Sequence, residues 1–405
     1  MQRREILKML AAAPLAGGAA RLRAAPAAGN AKLLVVFLRG AYDCANLLVP
    51  IGGEARAFYD ACRPTIAVPR PGEAGGAIAL DTRWGLHPVL ASSVLPLFQK
   101  REAAFIPFAG IDDLTRSHFE TQDAIELGQS LDRGRDYRSG FLNRLAGVLG
   151  AGPLAAVSPI AFTDQLPIML RGQFNAANMA LGNVGRQGID AARSRVIERM
   201  YRNTALAQQV TEGFQVRDEV TRAVKLEMDA ASRNAMTAQG FERVARRMAL
   251  LMRERFDLGF VDVGGWDTHV GQGAATGYLA NRLDELGRGV AGFAEEMDEA
   301  WRDTVVVVIS EFGRTFRENG NKGTDHGHGT VYWVLGGGLS AHAGGRVVGE
   351  QVALSPATLF QNRDYPVINE YRAVFGGLFA RMYGLSPSQL DRVFGGVMPR
   401  DLGLI

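Results

Sequence analysis

Residues 256–315 decide the predicted fold. They read FDLGFVDVGGWDTHVGQGAATGYLANRLDELGRGVAGFAEEMDEAWRDTVVVVISEFGRT. A short strand pattern, FDLGFVDV, is followed by a glycine-rich loop, an amphipathic helix pattern and the buried-strand pattern TVVVVIS. Strand, helix and strand in this order form a βαβ unit, so the two strands should run parallel. The loops GGWDTH and EFGRT should then open at the same edge of the sheet, where α/β sheets bind ligands.

The rest of the chain fits the same α/β class. KLLVVFL (Lys32–Leu38) is typical of a strand buried on both faces, and EAAFIPFAG (Glu102–Gly110) predicts a second strand. DDLTRSHFETQDAIELG (residues 112–128) predicts a loop entering a helix, with Ser117 or Thr115 as the cap. Residues from about 158 to 255 are charged and favour helices, which predicts a mainly helical insertion or cap. With no linker composition, residues 28–405 are predicted to form a single domain with a doubly wound, mostly parallel sheet flanked by helices.

The N-terminal segment, residues 1–27, is predicted to be an export signal. It contains RREILK, which resembles the twin-arginine signal, and ends in a small-residue stretch with a predicted cleavage point after Ala27. Its apolar run is broken by Pro14 and is too short to span a bilayer, so no transmembrane anchor is expected after cleavage. The alternative is a basic, alanine-rich helix of a cytoplasmic protein. We expect a periplasmic or otherwise exported protein.

Charge excludes two classes of partner. Removing residues 1–27 takes away five basic residues and one acid, which changes the formal net charge from +3 to −1. A nearly neutral chain without basic blocks gives no electrostatic case for binding nucleic acid or an anionic membrane surface. The two cysteines, Cys44 and Cys62, are no disulfide framework in so long a chain, and whether they pair is left open.

Residues of metal-ligand type follow the predicted strands. They are Asp43, Asp267, His269, Glu311, Asp325, His326 and His328, with His118 at a predicted helix start. Carboxylates mixed with imidazoles suit zinc, manganese or iron, whereas an all-oxygen set would point to calcium or magnesium. We therefore predict one or two divalent ions, without fixing which of these five metals.

Each of these residues also has an ordinary structural alternative. Asp325 can make an Asx turn, Glu311 can cap a helix, and a single histidine is more often a core or surface residue than a ligand. Their joint occurrence at one sheet edge favours a metal site, because burying several acids together without a cation costs several kcal/mol.

Five motifs carry a resemblance to a known family. LVVFLRGAYDCANLLVP, SHFETQD, GWDTH, SEFGRT and GTDHGHG, in this order after a twin-arginine signal, resemble a large bacterial family of exported proteins classed as a domain of unknown function. That family is grouped by fold with the alkaline phosphatase and sulfatase superfamily, whose members use one or two metal ions to hydrolyse phosphate or sulfate esters. The resemblance covers essentially the whole mature chain and implies an alkaline phosphatase-like fold.

The resemblance also implies roles for individual residues. Asp43, Asp267, His269, Glu311 and one of His326 and His328 match metal ligands. Ser117 occupies the place of the nucleophile at a helix start, although His118 beside it could be a ligand with the serine only capping. The superfamily usually has Asp-His where this chain has Glu311-Phe312, so a late histidine would have to replace the missing one.

The function implied is an exported metal-dependent hydrolase of phosphate or sulfate esters. Ser117 or a water would attack, and Arg314 or Arg116 would neutralise the anionic group of a small-molecule or glycan ester. The competing interpretation is a non-catalytic, metal-stabilised scaffold that binds a second exported protein of unknown function. A third, an iron-dependent oxidoreductase, uses the same ligand types.

Overall fold

The structure is a computed structural model. The structure describes residues 30–132, 134–151, 157–181, 196–197, 199–204, 206–212 and 240–405. The predicted export signal, residues 1–27, lies outside the described residues. No described helix is long and apolar enough to cross a membrane.

The strands are β1 Lys32–Leu38, β2 Leu48–Pro50, β3 Ile78–Ala79, β4 Trp84–Leu86, β5 Ala103–Gly110, β6 Pro159–Ala161, β7 Ala177–Asn178, β8 Leu258–Val263, β9 Thr304–Ser310, β10 Thr330–Leu335, β11 Arg346–Val347 and β12 Asn369–Glu370. The helices are α1 Cys44–Leu47, α2 Gly53–Cys62, α3 Val94–Gln99, α4 His118–Leu127, α5 Phe141–Gly150, α6 Phe241–Glu254, α7 Tyr278–Met297, α8 Tyr371–Tyr383 and α9 Pro387–Val393.

A mostly parallel sheet of nine strands forms the centre. Its order is β11-β5-β10-β9-β1-β8-β6-β7, with β12 beside β5. β8 and β9 run parallel, as the βαβ pattern predicts, but they lie on opposite sides of β1 and pair with it rather than with each other. Among these strands β10 is antiparallel to both of its neighbours, β5 and β9. β2, β4 and β3 form a small separate sheet.

Alternating residues of β1 contact two different cores, which explains why residues 33–38 are all apolar. Leu34 and Val36 belong to a core that includes residues of α6 and α7. Leu33, Val35 and Phe37 belong to a second core that includes residues of α5, α8 and α9. Helices therefore cover both faces of the sheet, and both faces need apolar side chains. This is the predicted mixed α/β architecture with a mostly parallel sheet.

The predicted helical segment from about 158 to 255 is only partly described. α6 lies in it, but β6 and β7 also lie there and extend the sheet beyond β8. These two strands were not predicted, because strands of two or three residues are too short for periodicity to reveal. Most of residues 182–239 lie outside the described part of the chain. Cys44 and Cys62 are both buried free thiols.

The carboxyl ends of β1, β8 and β9 meet at one edge of the sheet. Gly40, just after β1, has φ 116°, and a Cβ there would lie 2.9 Å from the Asp267 amide nitrogen in the loop after β8. The Gly40 amide also donates to Oε1 of Glu311, just after β9, over 2.8 Å. A glycine at position 40 thus allows the three loops to pack closely.

Candidate metal centre

Three imidazoles converge at this edge. His118 is the first residue of α4, His269 lies in the loop after β8, and His326 lies in the loop before β10. The Nε2 atoms of His118 and His326 are 2.9 Å apart. The Nε2 atom of His269 is 3.1 Å from that of His326. Three histidines that are far apart in the sequence therefore present the same ring nitrogen to one point.

The opposite nitrogen, Nδ1, faces a hydrogen-bond acceptor in each ring. That of His118 is 2.7 Å from Oε1 of Glu311, and that of His269 is 3.0 Å from Oδ1 of Asp325. That of His326 is 3.0 Å from the backbone carbonyl of Arg116. Since a carbonyl and ionised carboxylates only accept, each Nδ1 must donate its proton. In the neutral form each Nε2 then carries a free lone pair.

Three lone pairs directed at one point repel each other unless a cation lies between them. In a tetrahedral zinc site with Zn–N bonds of about 2.0–2.1 Å, neighbouring nitrogens are separated by roughly 3.3 Å. The observed Nε2 separations of 2.9 and 3.1 Å are close to this value. The arrangement thus has a geometry that fits a metal-ligand set.

Asp267 adds a carboxylate to the imidazoles. Its Oδ1 lies 2.9 Å from Nε2 of His269 and 3.4 Å from that of His326. Partial burial raises the pKa of Asp267, but the hydrogen bond and charge of Arg314 more than offset this, so the pKa lies below its ordinary value. Asp267 is therefore an anion at neutral pH.

The donor set fits a divalent ion. Single ligand atoms of His118, Asp267 and His326 all lie within 4.8 Å of one another. With His269 the set offers three nitrogens and one carboxylate, a mixture that suits zinc, iron or manganese better than calcium. The described residues thus contain a small His/Asp group able to hold a metal ion.

Glu311 lies behind His118 and not at the point of convergence. Its carboxylate is fully buried, and Oε1 also accepts from the Gln122 amide over 2.9 Å. Desolvation raises the pKa of Glu311, but hydrogen bonds from His118, Gln122 and the Gly40 amide lower it further, leaving it below its usual value. Glu311, predicted to be a direct ligand, therefore orients the His118 ring, as carboxylates commonly do behind metal-binding histidines. Asp325 stands in the same relation to His269.

Asp43 is placed away from the imidazoles, which differs from its predicted role as a ligand. Its two oxygens accept from the Arg63 guanidinium at 2.5 and 3.0 Å, and Oδ2 also accepts from Gln272 at 2.6 Å. Its side chain also caps α1 through the Ala45 amide. Arg63 and Asp43 are both buried, so a buried ion pair satisfies the carboxylate instead of a metal.

Of the two histidines in GTDHGHG, only His326 reaches the point of convergence. His328 is 2% exposed, and its Nε2 lies 3.0 Å from Oδ1 of Asp112. Gly327 between them is in close contact with the backbone of Arg314, where a Cβ would lie 2.5 Å from the carbonyl carbon. Residues two apart in an extended segment point to the same side. The chain bends at His328, so the two rings separate and only His326 joins the other imidazoles.

The two arginines predicted to neutralise an ester are already engaged. Arg314 is buried, and its guanidinium donates to Oδ1 of Asp267 and to the carbonyl of Thr324. Arg116 donates to Oδ2 of Asp364 over 2.9 Å, while its carbonyl orients His326. Its backbone has φ 52°, unusual for a residue other than glycine, which turns that carbonyl towards the ring.

Ser117 caps a helix. Its Oγ accepts from the Glu120 amide at the start of α4, at 3.5 Å. This matches the predicted cap position, and it places His118 at the first helical residue. In the described part of the chain, no basic side chain forms a hydrogen bond with the Ser117 hydroxyl.

Comparison with known proteins agrees with the family resemblance of the sequence. The family model described as "Protein of unknown function (DUF1501)" matches residues 30–394. The chain belongs to this family. No curated protein matches it.

Solved structures give a distant similarity to the DUF1501 chain. Two crystal structures of Ps i-CgsB, one in complex with k-i-k-neocarrahexaose, match it at 10% sequence identity with TM-scores of 0.40 and 0.38. Each match covers 89% of this chain and 73% of the other. A similarity at this level carries no argument about function.

Two contributors to the centre were not predicted from the sequence. Gln122 lies four residues after His118 on α4, so the helical repeat places both on one face, and this spacing was a usable signal. Nothing in the sequence indicated the role of the Arg116 carbonyl. Every residue carries a carbonyl, and only the turn of the backbone directs this one towards His326.

Proposed function

We propose that this DUF1501 protein is an exported metal-dependent hydrolase of phosphate or sulfate esters, with an ion held by His118, His269, His326 and Asp267. The convergence of three Nε2 atoms, each backed by an acceptor at Nδ1, carries the proposal. A set of neutral nitrogens oriented in this way is preorganised to bind a cation.

The charges of the set favour an anionic substrate. Three neutral imidazoles and one carboxylate leave a divalent ion with a net positive charge. When bound, the ion would act as a Lewis acid on the ester and lower the pKa of a water molecule. Asp267 is 44% and His269 40% exposed at the side chain, so solvent and substrate can approach from this side.

The residues divide the remaining work. Glu311 and Asp325 keep His118 and His269 in the tautomer that presents Nε2. Arg314 keeps Asp267 ionised and fixes its orientation. The Ser117 hydroxyl is engaged as a helix cap, which favours water over Ser117 as the nucleophile.

The alternative, a metal-stabilised scaffold without catalysis, is favoured by one observation. The guanidinium groups of Arg314 and Arg116 form ion pairs with Asp267 and Asp364, which already compensate their charges. The three histidines and Asp267 would then hold an ion that only stabilises the fold. The surface around them would bind a second exported protein.

Elemental analysis and turnover separate these proposals. Protein purified from the native compartment should contain about one zinc, iron or manganese per chain. It should hydrolyse phenyl phosphates or phenyl sulfates, and His326→Ala should lose both metal and turnover. The exposed His342 supplies the matched control, His342→Ala, which should keep both. Metal without turnover supports the scaffold, and absence of metal sinks both proposals.

A further inference from the structure

A polar cavity lies beside the metal centre at the same edge of the sheet. It has a volume of about 430 Å³ and opens between α4 and the segment that follows β6. Its wall includes Arg39 after β1, Asp262 at the end of β8, and Gln122 and Glu126 on α4. This volume lies within the range of small-molecule sites.

The floor of the cavity is a closed network around Arg39. Its guanidinium donates to Oδ2 of Asp262 at 2.6 Å, to the Gln122 amide oxygen at 2.8 Å and to Oε1 of Glu126 at 2.8 Å. The second oxygen of Glu126 accepts from the Met169 amide over 3.0 Å. The Arg39 charge is thus compensated, and the floor has a fixed set of polar atoms.

The rim is polar and accessible. Asp164, Gln165 and Arg171 are exposed residues of the wall. Nε of Arg171 donates a hydrogen bond to the Leu166 carbonyl over 3.2 Å. The wall therefore offers carboxylate and amide oxygens as acceptors and guanidinium and amide groups as donors.

The charge of the lining argues against a second anion. Arg39 and Arg171 are opposed by three carboxylates, those of Glu126, Asp164 and Asp262. The excess is negative, and the cation on the floor is already paired. An uncharged group rich in hydroxyls, which both donate and accept, matches this wall better than an anion or an apolar group does.

The cavity is within reach of the metal centre. His118, Gln122 and Glu126 occupy successive turns of one face of α4, so Gln122 and Glu126 lie about 6 and 12 Å along the helix axis from His118. Gln122 joins the two places directly, because its amide nitrogen donates to Glu311 and its oxygen accepts from Arg39. A sugar ester has the length to cover this interval.

We propose that this cavity binds the uncharged, hydroxyl-rich part of the substrate, a sugar residue whose phosphate or sulfate ester then lies at the metal centre. This rests on the proposed function for the ester, but the sugar site can be tested without turnover. Sugar hydroxyls would replace water at Asp164, Gln165 and Arg171.

Calorimetric titration with uncharged sugars tests the cavity alone. The probes are glucose, galactose, N-acetylglucosamine, cellobiose and lactose, added to the full metal-loaded protein. At least one should bind in the millimolar range, and Asp164→Ala and Arg171→Ala should each weaken it about tenfold or more, as loss of a charged hydrogen-bond partner does. Arg138→Ala, at a side chain 90% exposed and outside the cavity wall, is the matched control and should bind like the parent.

Turnover then distinguishes the two proposals. In the Asp164→Ala and Arg171→Ala proteins, kcat/KM for glucose 6-phosphate and glucose 6-sulfate should fall. The same proteins should hydrolyse phenyl phosphate and phenyl sulfate at the parent rate. Sugar binding without any hydrolysis would support the sugar site and overturn the proposed hydrolase activity. Hydrolysis of phenyl esters with no sugar bound by the parent protein, or binding unchanged in both variants, overturns the sugar site.

Discussion

Nδ1 of His118 lies 2.7 Å from Oε1 of the fully buried Glu311, and this contact determines which nitrogen of the ring faces the metal centre. Burial lowers the pKa of His118, but the hydrogen bond and charge of Glu311 raise it above the ordinary value. The buried carboxylate also strengthens Nε2 as a donor to a cation. Glu311 would therefore act on a bound ion through His118.

Replacing Glu311 by glutamine should weaken metal binding by about 10–100-fold, the usual cost of removing a carboxylate behind a metal-binding histidine. The shape of the side chain is kept, so the three Nε2 atoms remain and binding is weakened rather than abolished. Competition with a chromophoric chelator measures the affinity. Glu299→Gln, at an exposed acid of the same type, should leave the affinity unchanged. Equal affinities in the two variants would remove Glu311 from the centre.

Removing the metal should destabilise the fold. An ion that binds only the native state at 100 times its dissociation constant adds about 2.7 kcal/mol, so dialysis against a chelator should lower the unfolding midpoint by a few degrees. Zinc, iron or manganese added back should restore it. The His326→Ala protein should show no response to the chelator, and an equal response would place the stabilising ion elsewhere.

Strand patterns predicted much of the fold, because an apolar run such as Lys32–Leu38 records burial on both faces. The βαβ pattern also predicted that the loops after β8 and β9 open at the same edge. It could not show that β1 lies between those strands, since strand order depends on contacts between distant parts of the chain.

Residue types predicted which residues lie at the site better than they predicted which of them point to the centre. Glu311 and Asp43 are both acids after strands, yet one backs His118 and the other pairs with Arg63. The residue type alone cannot distinguish a carboxylate that binds a metal directly from one that hydrogen-bonds to a metal-binding histidine. Both roles require the same negative charge. Only side-chain directions and the position of Arg63 decide between these roles.

Ser117→Ala separates a nucleophile from a helix cap. Loss of the cap on α4 should cost about 1 kcal/mol in the free energy of unfolding, while phenyl phosphate or phenyl sulfate hydrolysis by the remaining folded protein should continue. Ser117→Asn should recover most of the stability, because asparagine is an equally good cap. Urea titration and steady-state turnover check both points. A loss of turnover by orders of magnitude in both variants would restore Ser117 as the nucleophile.

Asp43→Ala should destabilise the protein by about 3–5 kcal/mol, because it leaves the guanidinium of Arg63 buried without its counter-charge. Burial lowers the pKa of Arg63, but the charge and hydrogen bonds of Asp43 raise it above the ordinary value, so Arg63 stays charged in the parent protein. The exposed pair Arg381–Asp401, at 2.6 Å, supplies the comparison, since Asp401→Ala should cost no more than about 1 kcal/mol. Asp43→Asn, which keeps an acceptor for Arg63, should fold if the alanine variant does not. The folded fraction of the Asp43→Asn protein should retain the full metal content. If Asp43 were a metal ligand, this variant would lose metal while its secondary structure stayed unchanged.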